Sequence, residues 1–120
     1  MAALGVSPMP SQECRLTALE TLAATIDARA SSDAGASYTR ALLDKGAAHC
    51  ARKFGEEAVE AVIAACTGAN EQLRDEAADV LFHLLVLMKA RGVTLAEVLG
   101  TLEARAQQSG HQEKASRGPA

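Results

Sequence analysis

The sequence predicts an all-α protein, and three observations support this prediction. Alanine and leucine, which are strong helix formers, are abundant, and apolar residues recur at helical spacing. The three prolines stand only at positions 8, 10 and 119, so no proline interrupts the interior of the chain. With 120 residues, of which 48% are hydrophobic and 22% charged, the chain is long enough for one globular domain with an apolar core.

Turn and capping signals divide the chain into four or five helices. We predict helices over residues 11–30, 37–46, 47–66, 71–91 and 94–107. Gly68 and Gly92 are expected to end the third and fourth of these helices. Asn70 is the expected N-cap of the fourth helix. Thr94 and Glu97 have the spacing of a capping box, which starts the fifth helix.

The predicted helices form one domain, over residues 11–108. Residues 1–10 contain two of the prolines and are expected to form a flexible N-terminal tail. Residues 109–120 are polar and lack apolar periodicity, so a polar C-terminal tail is expected there.

One segment predicts a second subunit. Residues 80–88, with the sequence VLFHLLVLM, are apolar around the whole helix except at His83. A helix that is apolar on every face must be covered on every face. Because a single chain of this length has too few other helices to do so, we expect an intertwined helical-bundle homodimer.

Composition argues against several classes of protein. A net charge of −3, a pI of about 5.6 and only 2% aromatic residues do not suit a nucleic-acid-binding surface. No apolar run approaches the ~18 residues of a membrane span, and the first ten residues do not resemble a signal peptide. The three cysteines, Cys14, Cys50 and Cys66, form no Cys-x-x-Cys motif, so we expect reduced thiols in a cytoplasmic protein.

Two acidic pairs are mirrored about the turn at Gly68. Glu57 and Glu60 precede this turn, and Glu76 and Asp79 follow it at matching distances along the chain. Within each pair the i,i+3 spacing places both carboxylates on one helix face, so an antiparallel hairpin brings the pairs together. Four carboxylates beside buried apolar rows repel one another and need a cation. Carboxylate oxygens suit Mg²⁺ or Mn²⁺, and Mg²⁺ commonly binds substrate phosphates as well.

These acidic residues are compared with two other known arrangements, a solvated helix face and a di-iron site. Each pair alone is compatible with an ordinary solvated helix face, but the mirrored arrangement beside apolar rows favours a metal site. A carboxylate-bridged di-iron bundle requires Glu-x-x-His motifs, and the sequence contains none.

Longer motifs in the same region resemble a known family. The run KFGEEAVE at residues 53–60, followed by EAADVLFHLLV at 76–86, resembles the phosphoribosyl-ATP pyrophosphatase family of histidine biosynthesis. This family belongs to the all-α nucleotide pyrophosphohydrolases, which include MazG. The segments SYT at 37–39, GVTL at 92–95 and SGHQEKASR at 109–117 favour this family over the rest of its superfamily. Phe54 and Phe82 differ from the family pattern, which has an aliphatic residue and a tyrosine at these positions.

The resemblance implies both the reaction and its metal. Members hydrolyse phosphoribosyl-ATP to phosphoribosyl-AMP and pyrophosphate, the second step of histidine synthesis, with Mg²⁺, for which Mn²⁺ is a possible substitute. They are helical dimers with sites near the subunit interface. We expect Glu57, Glu60, Glu76 and Asp79 to bind the metal, and either Glu56 or Glu57 to act as the general base.

Six further residues are candidates for substrate binding. They are Lys53, His83, Tyr38, Thr39, Lys114 and Arg117. Lys53 also has the spacing of an ordinary i,i+4 ion pair with Glu57. His83 is equally compatible with a polar residue of the helix core whose hydrogen bonds are satisfied. Tyr38 and Thr39 are equally suited to the start of a helix.

Two other functions are compatible with the sequence. A house-cleaning nucleoside triphosphate pyrophosphohydrolase of the same superfamily would use the same metal cluster with a different base pocket. A non-catalytic helical dimerisation module would bind no Mg²⁺.

Overall fold

The described part of the chain is entirely helical. The computed structural model describes residues 12–32 and 37–108, which contain five helices and no strand. The helices are α1 (Gln12–Ala30), α2 (Tyr38–Asp44), α3 (Ala47–Thr67), α4 (Asn70–Arg91) and α5 (Leu95–Ala106). The predicted all-α class is therefore confirmed. The predicted tails, and with them Lys114 and Arg117, lie outside the described residues.

Helices α3 and α4 form an antiparallel hairpin, which is the most extensive helix pair of the fold. Gly68 ends α3, and its N–H donates to the Ala64 carbonyl at 2.9 Å. The prediction that Asn70 caps α4 is wrong, because Ala69 occupies the N-cap position. The Gln72 side-chain oxygen accepts from the Ala69 N–H at 3.2 Å, so a residue inside the first turn satisfies the backbone there.

The predicted signals at Gly92 and at Thr94 with Glu97 are confirmed. Gly92 ends α4 in the left-handed region, with φ of 75°. The Thr94 hydroxyl accepts from the Glu97 N–H, and the Glu97 carboxylate accepts from the Thr94 N–H, both at 3.1 Å. Ser37 caps α2 by accepting from the Arg40 N–H at 3.2 Å. These local contacts set where α4 ends and where α2 and α5 begin.

The apolar core lies where α1 and α2 pack against the base of the hairpin. Its buried apolar residues are Ile26, Leu42, Cys50, Leu85, Val86 and Met88. Three of them come from the segment at residues 80–88, as its all-round apolar pattern requires. His83, from the same segment, is also buried. The core therefore fixes the helix that carries half of the predicted site.

Beyond this core the hairpin exposes large apolar side chains. Val59, Val62 and Ile63 on α3 are 57%, 61% and 56% exposed, and Leu81 on α4 is 47% exposed. Their i, i+3, i+4 spacing on α3 makes one continuous outward face. The sequence predicts the second subunit over residues 80–88, where Leu81 is the large apolar residue that stays exposed, and not over the face on α3. The homodimer stays a prediction. Within the described residues no helix is long and apolar enough to cross a membrane.

Candidate functional site

The hairpin brings three of the predicted ligands together. One carboxylate oxygen each from Glu57, Glu76 and Asp79 lie within 4.8 Å of one another. Glu57 comes from α3 and the other two from α4, so the cluster exists only because the hairpin closes in this register. The mirrored spacing about Gly68 predicts this meeting. Their role as metal ligands stays a prediction.

Glu60, the fourth predicted ligand, borders the cluster. It is exposed and does not join the three convergent oxygens. Its negative charge and a side-chain hydrogen bond with it nevertheless raise the pKa of both Glu57 and Glu76. Glu60 is therefore close enough to interact with both helices of the hairpin, one turn beyond Glu57.

Both negatively and positively charged neighbours act on the carboxylate of Glu57. Desolvation by burial is the largest cause that raises its pKa, and a side-chain hydrogen bond with Glu60, followed by the charges of Glu60 and Asp79, raises it further. Lys53, whose Nζ lies 3.8 Å from Glu57 Oε1, acts in the opposite direction. The net effect still favours the protonated acid, so the acidic neighbours and desolvation outweigh the single lysine.

Glu76 provides the observation that bears most directly on a cation. Its Oε2 atom is buried and has no hydrogen-bond partner among the described residues. Desolvation, followed by the charges of Glu60 and Asp79, raises its pKa. A buried polar atom without a partner is costly. A divalent cation would satisfy this oxygen and neutralise the repulsion, so the three carboxylates fit a hard, oxygen-liganded ion such as Mg²⁺ or Mn²⁺.

An open cleft of about 410 Å³ lies beside the acidic residues. Glu60 and Glu76 line it, together with Ile63, Thr67 and Gln72 near the hairpin turn. Glu60 and Glu76 are therefore accessible from solvent on this side.

His83 lies at the inner edge of the cluster. Its side chain is 7% exposed, and its Nε2 lies 4.0 Å from Glu57 Oε1. Desolvation by burial, followed by the positive charge of Lys53, lowers its pKa, so the imidazole is neutral at pH 7. The carboxylate within 4.0 Å of this imidazole is that of Glu57, and the role of His83 in substrate binding stays a prediction.

Glu56, Tyr38 and Thr39 are the other predicted site residues within the described part of the chain, and they differ in exposure. Glu56 is exposed, and its charge acts on His83, so it is near the site without joining the three oxygens. Thr39 is 1% exposed and belongs to the buried interior, whereas Tyr38 beside it is 59% exposed. The two neighbours therefore differ in what they can contact, and their role in substrate binding stays a prediction.

Phe82 is a neighbour of the site that the sequence did not single out as functional. Its ring stacks on Tyr38, with centroids 6.2 Å apart, and meets His83 edge-on at 5.1 Å. The only sequence signal was its position next to His83 in a chain with few aromatic residues. Tertiary packing of α2 against α4 brings these rings together.

The fold and the cluster define a class of protein. It is an all-α protein in which a helical hairpin gathers carboxylates suited to a divalent cation beside an open cleft. The chain belongs to the phosphoribosyl-ATP pyrophosphohydrolase family, whose sequence profile matches residues 19–106. The predicted family and the predicted class of enzyme, a hydrolase, are both confirmed.

Individual relatives are similar over nearly their full length. The chain is 61% identical over 99 residues to phosphoribosyl-ATP pyrophosphatase 1 of Rhodopseudomonas palustris, covering 82% of this chain and 92% of that protein. It is 58% identical over 103 residues to the phosphoribosyl-ATP pyrophosphatase of Cereibacter sphaeroides, covering 86% and 100%. It is 59% identical over 99 residues to that of Nitrobacter hamburgensis, covering 82% and 92%.

Proposed function

We propose that this chain hydrolyses phosphoribosyl-ATP to phosphoribosyl-AMP and pyrophosphate, with Mg²⁺ as the metal and Mn²⁺ as a possible substitute. Family membership supports the reaction. The buried and unpartnered oxygen of Glu76, within a cluster of three carboxylates, supports the cation and is the observation that carries this proposal. Glu57, Glu76 and Asp79 would hold the ion, and Glu60 would complete the set from α3.

The chemistry divides between the ion and the protein. When bound, Mg²⁺ neutralises phosphate oxygens and acidifies a water molecule. Glu56 is the proposed general base, because it is a nearby carboxylate outside the three convergent oxygens, and Glu57 is the other candidate. Lys53, already 3.8 Å from Glu57, would contact a substrate phosphate at the same edge.

A second copy of the chain completes the proposed enzyme. The outward face formed by Val59, Val62 and Ile63 leaves more than half of each side chain exposed. Contiguous apolar side chains of this kind mark an interface. The face lies on the same helix as Glu57 and Glu60, so a homodimer formed there would place each site beside the subunit boundary.

We also propose a cytoplasmic location. Cys50 and Cys66 are both free thiols in the described structure. Free thiols are typical of proteins in a reducing compartment. A biosynthetic hydrolase that acts on a nucleotide would find its substrate there.

The proposed function is tested by measuring pyrophosphate release with Mg²⁺. Phosphoribosyl-ATP should be hydrolysed in preference to a panel of standard and damaged nucleoside triphosphates. Asp79→Asn, which removes a ligand charge, should reduce the rate by about 100-fold or more, in the upper range for disturbed metal sites. Glu103→Gln, which removes an exposed carboxylate from α5, should leave the rate unchanged.

The outcomes separate the candidate functions. A preference for free nucleoside triphosphates would identify a house-cleaning pyrophosphohydrolase instead. Absence of hydrolysis, together with no calorimetric binding of Mg²⁺ or Mn²⁺, would leave only a dimerisation module. Loss of activity in Glu56→Gln with metal binding retained would assign the base to Glu56, whereas loss of both in Glu57→Gln is expected of a ligand.

A further inference from the structure

An aromatic surface adjoins the carboxylate cluster. Tyr38, the first residue of α2, stacks on Phe82 of α4 at 6.2 Å between centroids, with the ring planes 16° apart. Both rings meet His83 edge-on, at 6.4 Å for Tyr38 and 5.1 Å for Phe82. Three rings from two helices thus form one packed group, in which the two contacts of Tyr38 are long-range.

The Tyr38 ring is covered on one side and open on the other. Phe82 lies nearly parallel behind it, yet Tyr38 remains 59% exposed. Its neighbours hold it in place, because Ser37 caps α2 and Thr39 is 1% exposed in the interior. A tyrosine has only two side-chain torsions, so little entropy is lost when a ligand contacts this ring. Tyr38 is a supported, flat and accessible surface.

His83 connects this surface to the acidic residues. One side of its ring faces Tyr38 and Phe82, and its Nε2 lies 4.0 Å from Glu57 Oε1. The aromatic surface and the carboxylates are therefore separated by a single side chain. In a nucleotide, a single ribose separates the base from the first phosphate. A nucleotide with its phosphates at the carboxylates would have its base in the neighbourhood of Tyr38.

Aromatic residues are rare in this chain, so an exposed aromatic ring beside the carboxylates is a specific feature of the site. The whole chain has one Tyr, two Phe and no Trp, and two of these three aromatic residues form the stacked pair. Exposed aromatic rings stack nucleobases with little dependence on the base's hydrogen-bonding groups. No other described aromatic residue is comparably exposed.

We propose that Tyr38, supported by Phe82, is the stacking surface for the purine base of the nucleotide whose phosphates bind at Glu57, Glu76 and Asp79. This inference rests on the proposed function and adds to it a residue that determines affinity for the base. Tyr38 positions the substrate and takes no part in proton transfer.

Intrinsic fluorescence tests this proposal directly. Tyr38 is the only tyrosine and the chain has no tryptophan. Fluorescence excited in the tyrosine absorption band therefore comes largely from Tyr38. Phosphoribosyl-AMP added with Mg²⁺ should quench this emission saturably, since the base stacks on the ring. Pyrophosphate, which has no base, should not. N-acetyltyrosinamide at the same ligand absorbance corrects for light absorbed by the nucleotide.

Kinetics provide a second and independent test. Tyr38→Phe retains the flat ring and should keep KM near the wild-type value. Tyr38→Leu removes it and should raise KM for phosphoribosyl-ATP by about 10-fold, within the range measured for base stacking, with little change in kcat. Phe82→Leu, which removes the support, should raise KM by less. A merely structural role would instead lower stability or kcat without rescue by the Phe variant.

Each outcome decides the proposal. Binding of phosphoribosyl-AMP by calorimetry without quenching would overturn it, as would equal KM values for wild type and Tyr38→Leu. A change of oligomeric state in Tyr38→Leu without a change of KM would reassign the ring to the subunit interface. If Tyr38→Leu does not fold, quenching of the wild type and the KM of Tyr38→Phe decide. Failure of the wild type to hydrolyse phosphoribosyl-ATP would instead reject the proposed function itself.

Discussion

Replacing Glu57 by Gln should stabilise the metal-free protein and remove its stabilisation by Mg²⁺. Glu57 lies within 4.8 Å of carboxylate oxygens of Glu76 and Asp79, and all three charges are unfavourable to one another. The raised pKa of Glu57 reports the same imbalance, caused first by desolvation and then by Glu60 and Asp79. The Gln side chain has a similar shape and removes the charge, so the packing of the hairpin is retained.

The size of the effect follows from the distances. Two like charges separated by 4.8 Å repel by about 0.9 kcal/mol in bulk water, and by more where burial lowers the effective dielectric constant. The attraction between Lys53 Nζ and Glu57 Oε1, which lie 3.8 Å apart, offsets about 1.1 kcal/mol of this repulsion in bulk water. With two close repulsions, the charge of Glu60 and the cost of burial, we expect a net gain of about 1 kcal/mol for Glu57→Gln. In a domain of this size that gain corresponds to about 4 °C in Tm.

Added metal should reverse the order of stability. A ligand present at a hundred times its dissociation constant stabilises the folded state by about 2.7 kcal/mol. The wild type should gain this amount with Mg²⁺, while Glu57→Gln, which lacks one ligand, should gain far less. The variant is therefore the more stable protein in chelator and the less stable protein in Mg²⁺.

Thermal unfolding at pH 7, in chelator and in Mg²⁺, checks both halves of this prediction. Glu103→Gln removes the same charge from an exposed position on α5 and should alter neither condition by more than a few tenths of a kcal/mol. The reasoning is refuted if Glu57→Gln is less stable than Glu103→Gln in chelator. It is equally refuted if Mg²⁺ stabilises both variants to the same extent.

In chelator, the difference in the free energy of unfolding between wild type and Glu57→Gln should depend on pH. The pKa of Glu57 is raised in the folded state, so the wild type loses stability as pH rises through that pKa, and below the unfolded pKa the loss is absent. The advantage of Glu57→Gln should therefore shrink as pH falls from 7 towards 4.5. His83, whose pKa is lowered, contributes to the pH dependence of each protein in the opposite direction. Urea titrations at each pH measure the difference, and an advantage that grows on acidification would contradict it.

Two further predictions concern the interface and the helix ends. Val62→Glu places a charge in the exposed apolar face of α3 and should convert the dimer to a monomer, as measured by light scattering. Ala104→Glu on α5 is the control and should leave the dimer intact. A monomeric wild type would exclude the homodimer. Gly92→Ala should destabilise by about 1 kcal/mol because φ is 75° there, while Gly100→Ala, inside α5 with equal space for a Cβ, should stabilise by up to about 1 kcal/mol. Calorimetry of both alanine variants checks the sign, and equal shifts would show that backbone conformation is not the cause.

Local signals in the sequence were sufficient for the helices and for the pairing of the acidic residues. Gly68 and Gly92 end helices, and Thr94 with Glu97 forms its capping box, because these contacts involve residues within one turn of each other. The mirrored spacing about Gly68 also predicted that Glu57 meets the acidic residues of α4, because an antiparallel hairpin brings positions at equal distances from its turn together. Asn70 was wrongly assigned as a cap because Gln72, also nearby, satisfies the backbone instead.

Only the tertiary structure decided which side chains meet across helices. It brings Glu76 and Asp79 to Glu57 and leaves Glu60 at the border, a difference that periodicity cannot resolve because all four share the same spacing. It also stacks Tyr38 on Phe82, which are far apart in the chain. Periodicity determines which face of a helix each residue occupies. The depth of burial and the ring contacts depend on how α2 and α4 pack on one another, and that packing is a property of the whole core.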